Sequence, residues 1–199
     1  MGKNATMDKY ASAIHWLCKT GLLYRVHRAS KLDMPLPAYR KENIFKLFTL
    51  DVGLLAAQSD LDTRSVLDGN RLFKEFKGAL TEQYVHQQPL AEIDIISPYY
   101  WANGSNKIDF LFQHDLNIVP LEAKAETNLK SRSLMCFCHK YKMPYAVRTS
   151  MEAHRKDMTD TLPSRQNDNA GDFKFMLENL PLYAISQIES IGDETLQII

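Results

Sequence analysis

Asp109, Glu122 and Lys124 are the residues of this 199-residue chain whose types and spacing could do chemistry. They lie in two runs, Lys107-Ile108-Asp109-Phe110-Leu111-Phe112-Gln113 and Ile118-Val119-Pro120-Leu121-Glu122-Ala123-Lys124. These read as the arms of a β-hairpin about the polar turn His114-Asp115-Leu116-Asn117. A symmetric turn, with either two or four loop residues, fixes the pairing: Gln113 faces Ile118 and Asp109 faces Glu122. Directly opposed residues of an antiparallel pair carry Cβ atoms roughly 4.5–5.5 Å apart. Carboxylates that close repel each other unless a cation or a proton lies between them. Lys124 projects from the same face as Glu122, about 7 Å along the strand. Two acids and an ammonium group converging on one sheet face form the set that metal-assisted phosphodiester hydrolysis uses. Plain cross-strand ion pairs would use the same residues, at about 1 kcal/mol or less when exposed.

The elements that must position this set can be read along the chain. Met7 to Thr20 has helical spacing at Ala11, Ile14, Leu17 and Cys18, and Gly21 supplies the stop. Leu22 to Arg28 and Ile44 to Leu50 read as strands, with a proline-containing turn at Asp33 to Pro37 between them. A helix followed by a two-stranded wing is the back half of a winged helix. Asp51 can cap a short helix from Val52 to Ala57. Arg71 to Gln88 reads as a helix ended by Pro89, with Phe73, Phe76, Leu80 and Tyr84 as its buried stripe, Glu82 to one side and Gly78 allowing a close neighbour. Strands are expected at Ile93 to Ile96 and Tyr99 to Trp101, a helix at Leu129 to Lys142, and a strand at Tyr145 to Arg148. Glu152 to Asp172 reads as a long loop or a partly mobile insert, and Leu182 to Ile185 as the last strand or ordered segment. This order predicts an α/β (α+β) fold with a mixed central sheet flanked by helices.

The bulk numbers bound the answer. The length allows one or two domains, and the apolar and charged fractions, 45% and 24%, are those of a soluble globular protein. A formal net charge of zero argues against a protein held to nucleic acid by bulk charge alone, though a local basic patch remains open. No apolar run is long enough to span a membrane and no signal-peptide pattern stands at the start. Three cysteines without a framework suit a reducing cytoplasm. Cys136-Phe137-Cys138-His139 does not make a zinc site on a helix, where positions two apart point away from each other. Met1 leads almost at once into the first helix, so the chain is expected to be a fragment of something longer.

Several of these stretches, taken together, carry a resemblance. Phe45-Lys46-Leu47, Leu50-Asp51-Val52-Gly53-Leu54-Leu55, Phe76-Lys77-Gly78-Ala79-Leu80-Thr81-Glu82, Tyr100-Trp101, Ile108-Asp109-Phe110-Leu111 and Pro120-Leu121-Glu122-Ala123-Lys124 follow one another in order. The succession, from about Tyr10 to Ile185, resembles the C-terminal domain of a large family of prokaryotic AAA-type P-loop ATPases. Asp109 with Glu122-Ala123-Lys124 also resembles the PD-(D/E)XK motif of restriction-endonuclease-like proteins. The resemblance implies a partial winged-helix segment over residues 1–68 and a nuclease-like domain over 69–199. It implies an ATPase module preceding both. No G-x-x-x-x-G-K-[ST] occurs in the chain, so no ATP site is expected here.

For the site, the resemblance implies Asp109, Glu122, the carbonyl of Ala123 and Glu82 as ligands of Mg²⁺ or Mn²⁺. Lys124 would orient a metal-activated water or stabilise charge on the phosphate. One departure stands out: where the family usually has an acid two residues before the motif aspartate, this chain has Lys107, which the hairpin register sets opposite Lys124. The expected function is therefore a metal-dependent DNA phosphodiesterase module coupled to an ATPase. The alternative is a non-catalytic module that binds DNA or protein and regulates that ATPase.

Overall fold

Eight strands zip into one mixed sheet, in the order β2 (Arg40–Thr49), β1 (Leu23–Ala29), β3 (Tyr99–Asn103), β4 (Asn106–His114), β5 (Asn117–Ala123), β6 (Tyr145–Ser150), β8 (Phe175–Pro181) and β7 (Arg155–Thr159). The computed structural model describes residues 7–60, 71–92, 98–114, 116–125, 131–159 and 173–188. Helix α1 (Met7–Lys19) enters β1 (Leu23–Ala29), and a 3-10 turn at Leu36–Tyr39 leads into β2 (Arg40–Thr49). Helix α2 (Val52–Gln58) starts as its sequence dictates: Asp51 accepts the Leu54 N–H at 2.7 Å and caps it. Helix α3 (Arg71–Glu92) precedes β3 (Tyr99–Asn103), β4 (Asn106–His114) and β5 (Asn117–Ala123). Helix α4 (Arg132–Tyr141), β6 (Tyr145–Ser150), β7 (Arg155–Thr159), β8 (Phe175–Pro181) and a 3-10 segment (Leu182–Gln187) complete the described chain.

The sheet separates two apolar layers. Trp101, Ile108, Leu111 and Ala146 pack with Leu134 and Phe137 of α4 on one face. Val26, Phe48, Phe110, Leu121 and Val147 pack with Val85 of α3 on the other. The wing strands are not set apart from this sheet. β1 pairs antiparallel with β2 and parallel with β3, through His27↔Tyr99 and Arg28↔Tyr100.

Several expectations need correction. α3 continues past Pro89 to Glu92, because a proline so near the helix end forfeits little of the ladder. Its buried face is Thr81, Gln83, Val85 and His86, whereas Phe76, Leu80 and Tyr84 are only half-buried. No heavy atom lies within 4 Å of a Cβ added at Gly78, so no close neighbour explains that glycine. The region expected to be a loop from Glu152 contains β7, an edge strand paired antiparallel to β8. The last strand is β8, and Leu182 to Ile185 instead form the 3-10 segment. β8 is buried on both faces and includes Glu178 and Asn179, so it shows no alternation to read. The expected strand at Ile93 to Ile96, and Leu129 and Lys130 of the expected helix, lie outside the described residues.

Candidate functional site

The hairpin forms as its sequence predicts over most of its length: Gln113 pairs with Ile118, and the ladder runs from His114↔Asn117 to Phe110↔Leu121. It stops one rung short of Asp109 and Glu122. The reason lies on the other side of β4. Tyr99 pairs with Leu111 but Trp101 pairs with Ile108, so β4 advances three residues where β3 advances two. The extra residue makes a bulge at Asp109–Phe110, and a bulge re-aims a side chain.

The bulge turns Asp109 towards α3. Its Oδ1 lies 3.1 Å from Lys107 Nζ and 4.0 Å from Lys46 Nζ. Its Oδ2 accepts the Ala123 N–H at 3.1 Å. Lys46, on β2, donates to Glu82 Oε2 at 2.8 Å, and Lys107 donates to Glu82 Oε1 at 3.0 Å. Glu82 comes from α3, so four charged groups from three elements meet at one spot: two carboxylates and two ammonium groups. Lys46 Nζ also lies over the Tyr100 and Phe110 rings, at 5.3 and 5.8 Å from their centroids.

The electrostatics follow from this packing. Burial alone would raise the Glu82 carboxyl, but Lys46 and then Lys107 outweigh it and hold Glu82 below the usual carboxylate range. Asp109 is buried more deeply. Its burial, with the neighbouring Glu82 charge, lifts its carboxyl above the ordinary value despite both lysines and the Ala123 N–H. Burial would lower the Lys107 ammonium, yet the Asp109 and Glu82 charges prevail and hold it above the lysine range.

Glu122 and Lys124 stand elsewhere. Leu121 and Ala123 both pack in the layer beneath α3, so Glu122 between them projects from the opposite face. There its rung neighbour is Arg148, and its charge acts on the buried Cys138 thiol of α4, which burial pushes well above its usual range. Lys124 Nζ pairs with Glu122 Oε1 at 2.7 Å. The structure therefore unites Asp109 with Glu82 and Glu122 with Lys124, but sets the two pairs across the sheet from one another. Lys107 does not oppose Lys124 either; it pairs with Ala102 on β3 and reaches Glu82. The assumption that failed is strict alternation along β4.

As arranged, these donors do not suit a divalent ion. Mg²⁺ needs about six oxygens in near-octahedral array. Here the acids are divided between two faces, two ammonium groups sit against Glu82 and Asp109, and Ala123 offers Asp109 its N–H. Among the described residues, no three His, Cys, Asp or Glu side chains gather where they could hold a metal.

Two further features escaped the sequence. Glu178 is fully buried and takes Tyr145 Oη at 2.8 Å, His154 Nε2 at 2.6 Å and Lys156 Nζ at 3.7 Å. An apolar groove of about 560 Å³ opens between α2 and α3, lined by Val52, Ala56, Leu80, Tyr84 and Leu182. The opposite charges of Lys156 and Glu178, which stand directly across from each other, could have signalled the first, had β7 and β8 been recognised as partners.

Comparison with known families places the site in context. Residues 77–166 match the model of a domain of unknown function, DUF4143. Residues 1–65 match a second domain of unknown function, DUF8612. No curated protein matches the chain. Glu82, Asp109, Glu122 and Lys124 fall within the first match, Lys46 within the second. The ion cluster thus ties together the stretches covered by two different family models. No helix among the described residues is long and apolar enough to cross a membrane.

Proposed function

We propose that this chain is a non-catalytic binding module that works with an AAA-type ATPase, and that the Glu82–Asp109 cluster is a structural tie within it. The observation that carries this reading is the pair of ammonium groups, Lys46 and Lys107, lodged against both carboxylates. They supply the positive charge a metal would otherwise bring, and they anchor β2 and β4 to α3. The association with an ATPase rests on the resemblance carried by the succession from Phe45-Lys46-Leu47 to Glu122-Ala123-Lys124. The partial winged-helix and restriction-endonuclease-like assignments belong to this proposal as descriptions of ancestry.

A second reading has one observation in its favour: Asp109 and Glu82 do converge, and the buried Asp109 Oδ1 is met only by the two ammonium groups among the described residues. Under that reading Mg²⁺ or Mn²⁺ displaces the lysines and the chain cleaves DNA. Titration with Mn²⁺, read by calorimetry and by the unfolding midpoint, separates the two. The binding-module reading expects no saturable site in the native chain, no cutting of plasmid, linear or branched DNA, and gain of Mn²⁺ stabilisation when Lys46→Met and Lys107→Met are combined. Tight Mn²⁺ binding by the native chain, lost in Asp109→Asn, would overturn it.

A further inference from the structure

Helix α2 is apolar almost throughout, Val52-Gly53-Leu54-Leu55-Ala56-Ala57-Gln58, yet none of its residues is buried. Its neighbour α3 has a similar deficit: Leu80 and Tyr84, whose spacing suits a buried stripe, stay half-buried. The two deficits meet in the groove of about 560 Å³. Lys77, Leu80, Thr81 and Tyr84 supply the α3 wall, spaced i, i+3, i+4 and i+7 along one face of the helix. Val52, Gly53 and Ala56 supply the α2 wall, and Met151, Leu182 and Tyr183 complete the lining. Tyr183 and Met151 are 81% and 65% exposed, although both are large apolar residues.

The groove is preformed. The Gln87 side chain accepts the Val52 N–H at 2.9 Å and fastens the start of α2 to α3. The Thr81 hydroxyl donates to the Lys77 carbonyl at 2.8 Å, so it is satisfied within its own helix. Lys77 is the charged residue among the described lining residues. It is half-buried and forms no ion pair with any acid among the described residues. From Lys77 to Tyr84 the α3 wall is two turns long, about 10 Å. An apolar stripe of that length with a cation at one end complements a helix with apolar residues at i, i+3 or i+4 and i+7 and an acid near one end of them. The small side chains of Gly53 and Ala56 let such a helix come close. An extended strand would need unpaired backbone N–H and C=O groups on the walls, which the flanks of two helices do not offer. A nucleic acid would need more than one cation.

We propose that this groove binds an amphipathic helix of a partner protein, its apolar stripe lodged on Leu80, Tyr84 and Ala56 and one of its carboxylates paired with Lys77. The proposal deepens the binding-module reading and rests on it for the idea of a ligand, but not on the state of the Glu82–Asp109 cluster.

The test is selection by the full chain from a displayed library of helix-forming peptides of about 16 residues, followed by fluorescence anisotropy with the leading peptide. Enriched peptides should carry Leu, Ile, Phe or Met at i, i+3 or i+4 and i+7, with Asp or Glu near one end of that stripe. Ala56→Arg, which fills the groove from α2, should weaken the leading peptide at least about tenfold. Tyr183→Ala, at an exposed position that does not threaten the fold, should weaken it a few-fold. Lys77→Glu should weaken it about fivefold, and exchanging the peptide's acid for lysine should restore most of that loss in the Lys77→Glu chain but not in the native one. Enrichment of no peptide, enriched peptides without helical spacing, or a leading peptide indifferent to Tyr183→Ala and to the charge exchange would overturn the proposal. Dodecanoate that saturates the native chain but not Ala56→Arg, with no peptide bound, would also overturn it and assign the groove to a small anionic amphiphile. Failure of this kind leaves the non-catalytic reading in place with another ligand, whereas Mn²⁺-dependent cleavage would end that reading and leave the groove untouched.

Discussion

Lys107 shows how one side chain changes the chemistry of its neighbours. Its ammonium bridges Glu82 and Asp109, and Lys46 completes the set from β2. Removing one carboxylate leaves two cations facing one acid. Glu82→Ala is therefore expected to lower unfolding free energy by about 1–3 kcal/mol, measured by urea denaturation, while Glu82→Gln retains part of the loss. A variant as stable as the native chain would show the cluster to be idle. His86 belongs to the same helix and makes a second prediction. It stacks on Phe48 at 4.4 Å, its Nδ1 is buried without a partner, and burial lowers its pKa from 6.5 to about 4. The unfolded chain then takes up a proton at a pH where the folded chain does not, so stability falls as pH drops from 6.5 towards 4 and this loss ends below about 4. The integrated effect is about 3 kcal/mol. His86→Leu should flatten that part of the profile in thermal melts. Glu82 was expected beside Asp109 only through the resemblance carried by Lys77-Gly78-Ala79-Leu80-Thr81-Glu82, since on its own it reads as a solvated helix residue. Lys46 was not, because it lies 36 positions from its partner and only the folded sheet brings it near.

Among the elements, β4 carries the most information. Its hairpin register was readable because turn length and apolar pattern agree, and Gln113↔Ile118 follows from that. The bulge was not readable, since Asp109-Phe110 has no glycine or other local mark and the irregularity is set by β3. One unread residue sufficed to send Asp109 and Glu122 to opposite faces. α3 offers a comparable case. Gln83 looks like an ordinary polar helix residue, yet its amide donates to the Thr49 carbonyl at 2.8 Å and accepts the Thr49 N–H at 2.9 Å. It stands in for a peptide unit at the end of β2. Gln83→Leu leaves both backbone groups buried and unmet, and should cost about 2 kcal/mol by chemical denaturation. Gln83→Glu, which keeps the acceptor and loses the donor, should fall between. Equal stability of all three chains would show that water replaces the amide.

The whole molecule is organised by a sheet that runs through both family matches. Separate recognition of residues 1–65 and 77–166 suggests two pieces, but β1 hydrogen-bonds to β3 across that division. A chain cut to residues 69–199 would leave the β3 border bare, with Tyr100 and the backbone groups that β1 had satisfied. Such an edge recruits other strands. The shortened chain is expected to self-associate in light scattering coupled to gel filtration, and a stable monomer would show the join to be dispensable. Sequence reasoning could not see this join, because parallel pairing between distant strands leaves no turn or spacing to read.

The join itself is slender, two rungs at His27↔Tyr99 and Arg28↔Tyr100. Arg28 therefore belongs at once to the fastening and to the β1–β2 pair, where it stands opposite Lys41. Two rungs are a narrow line along which the plate can flex, so amide hydrogen exchange at Tyr99 and Tyr100 would register any loosening of the outer strands before the inner ones feel it.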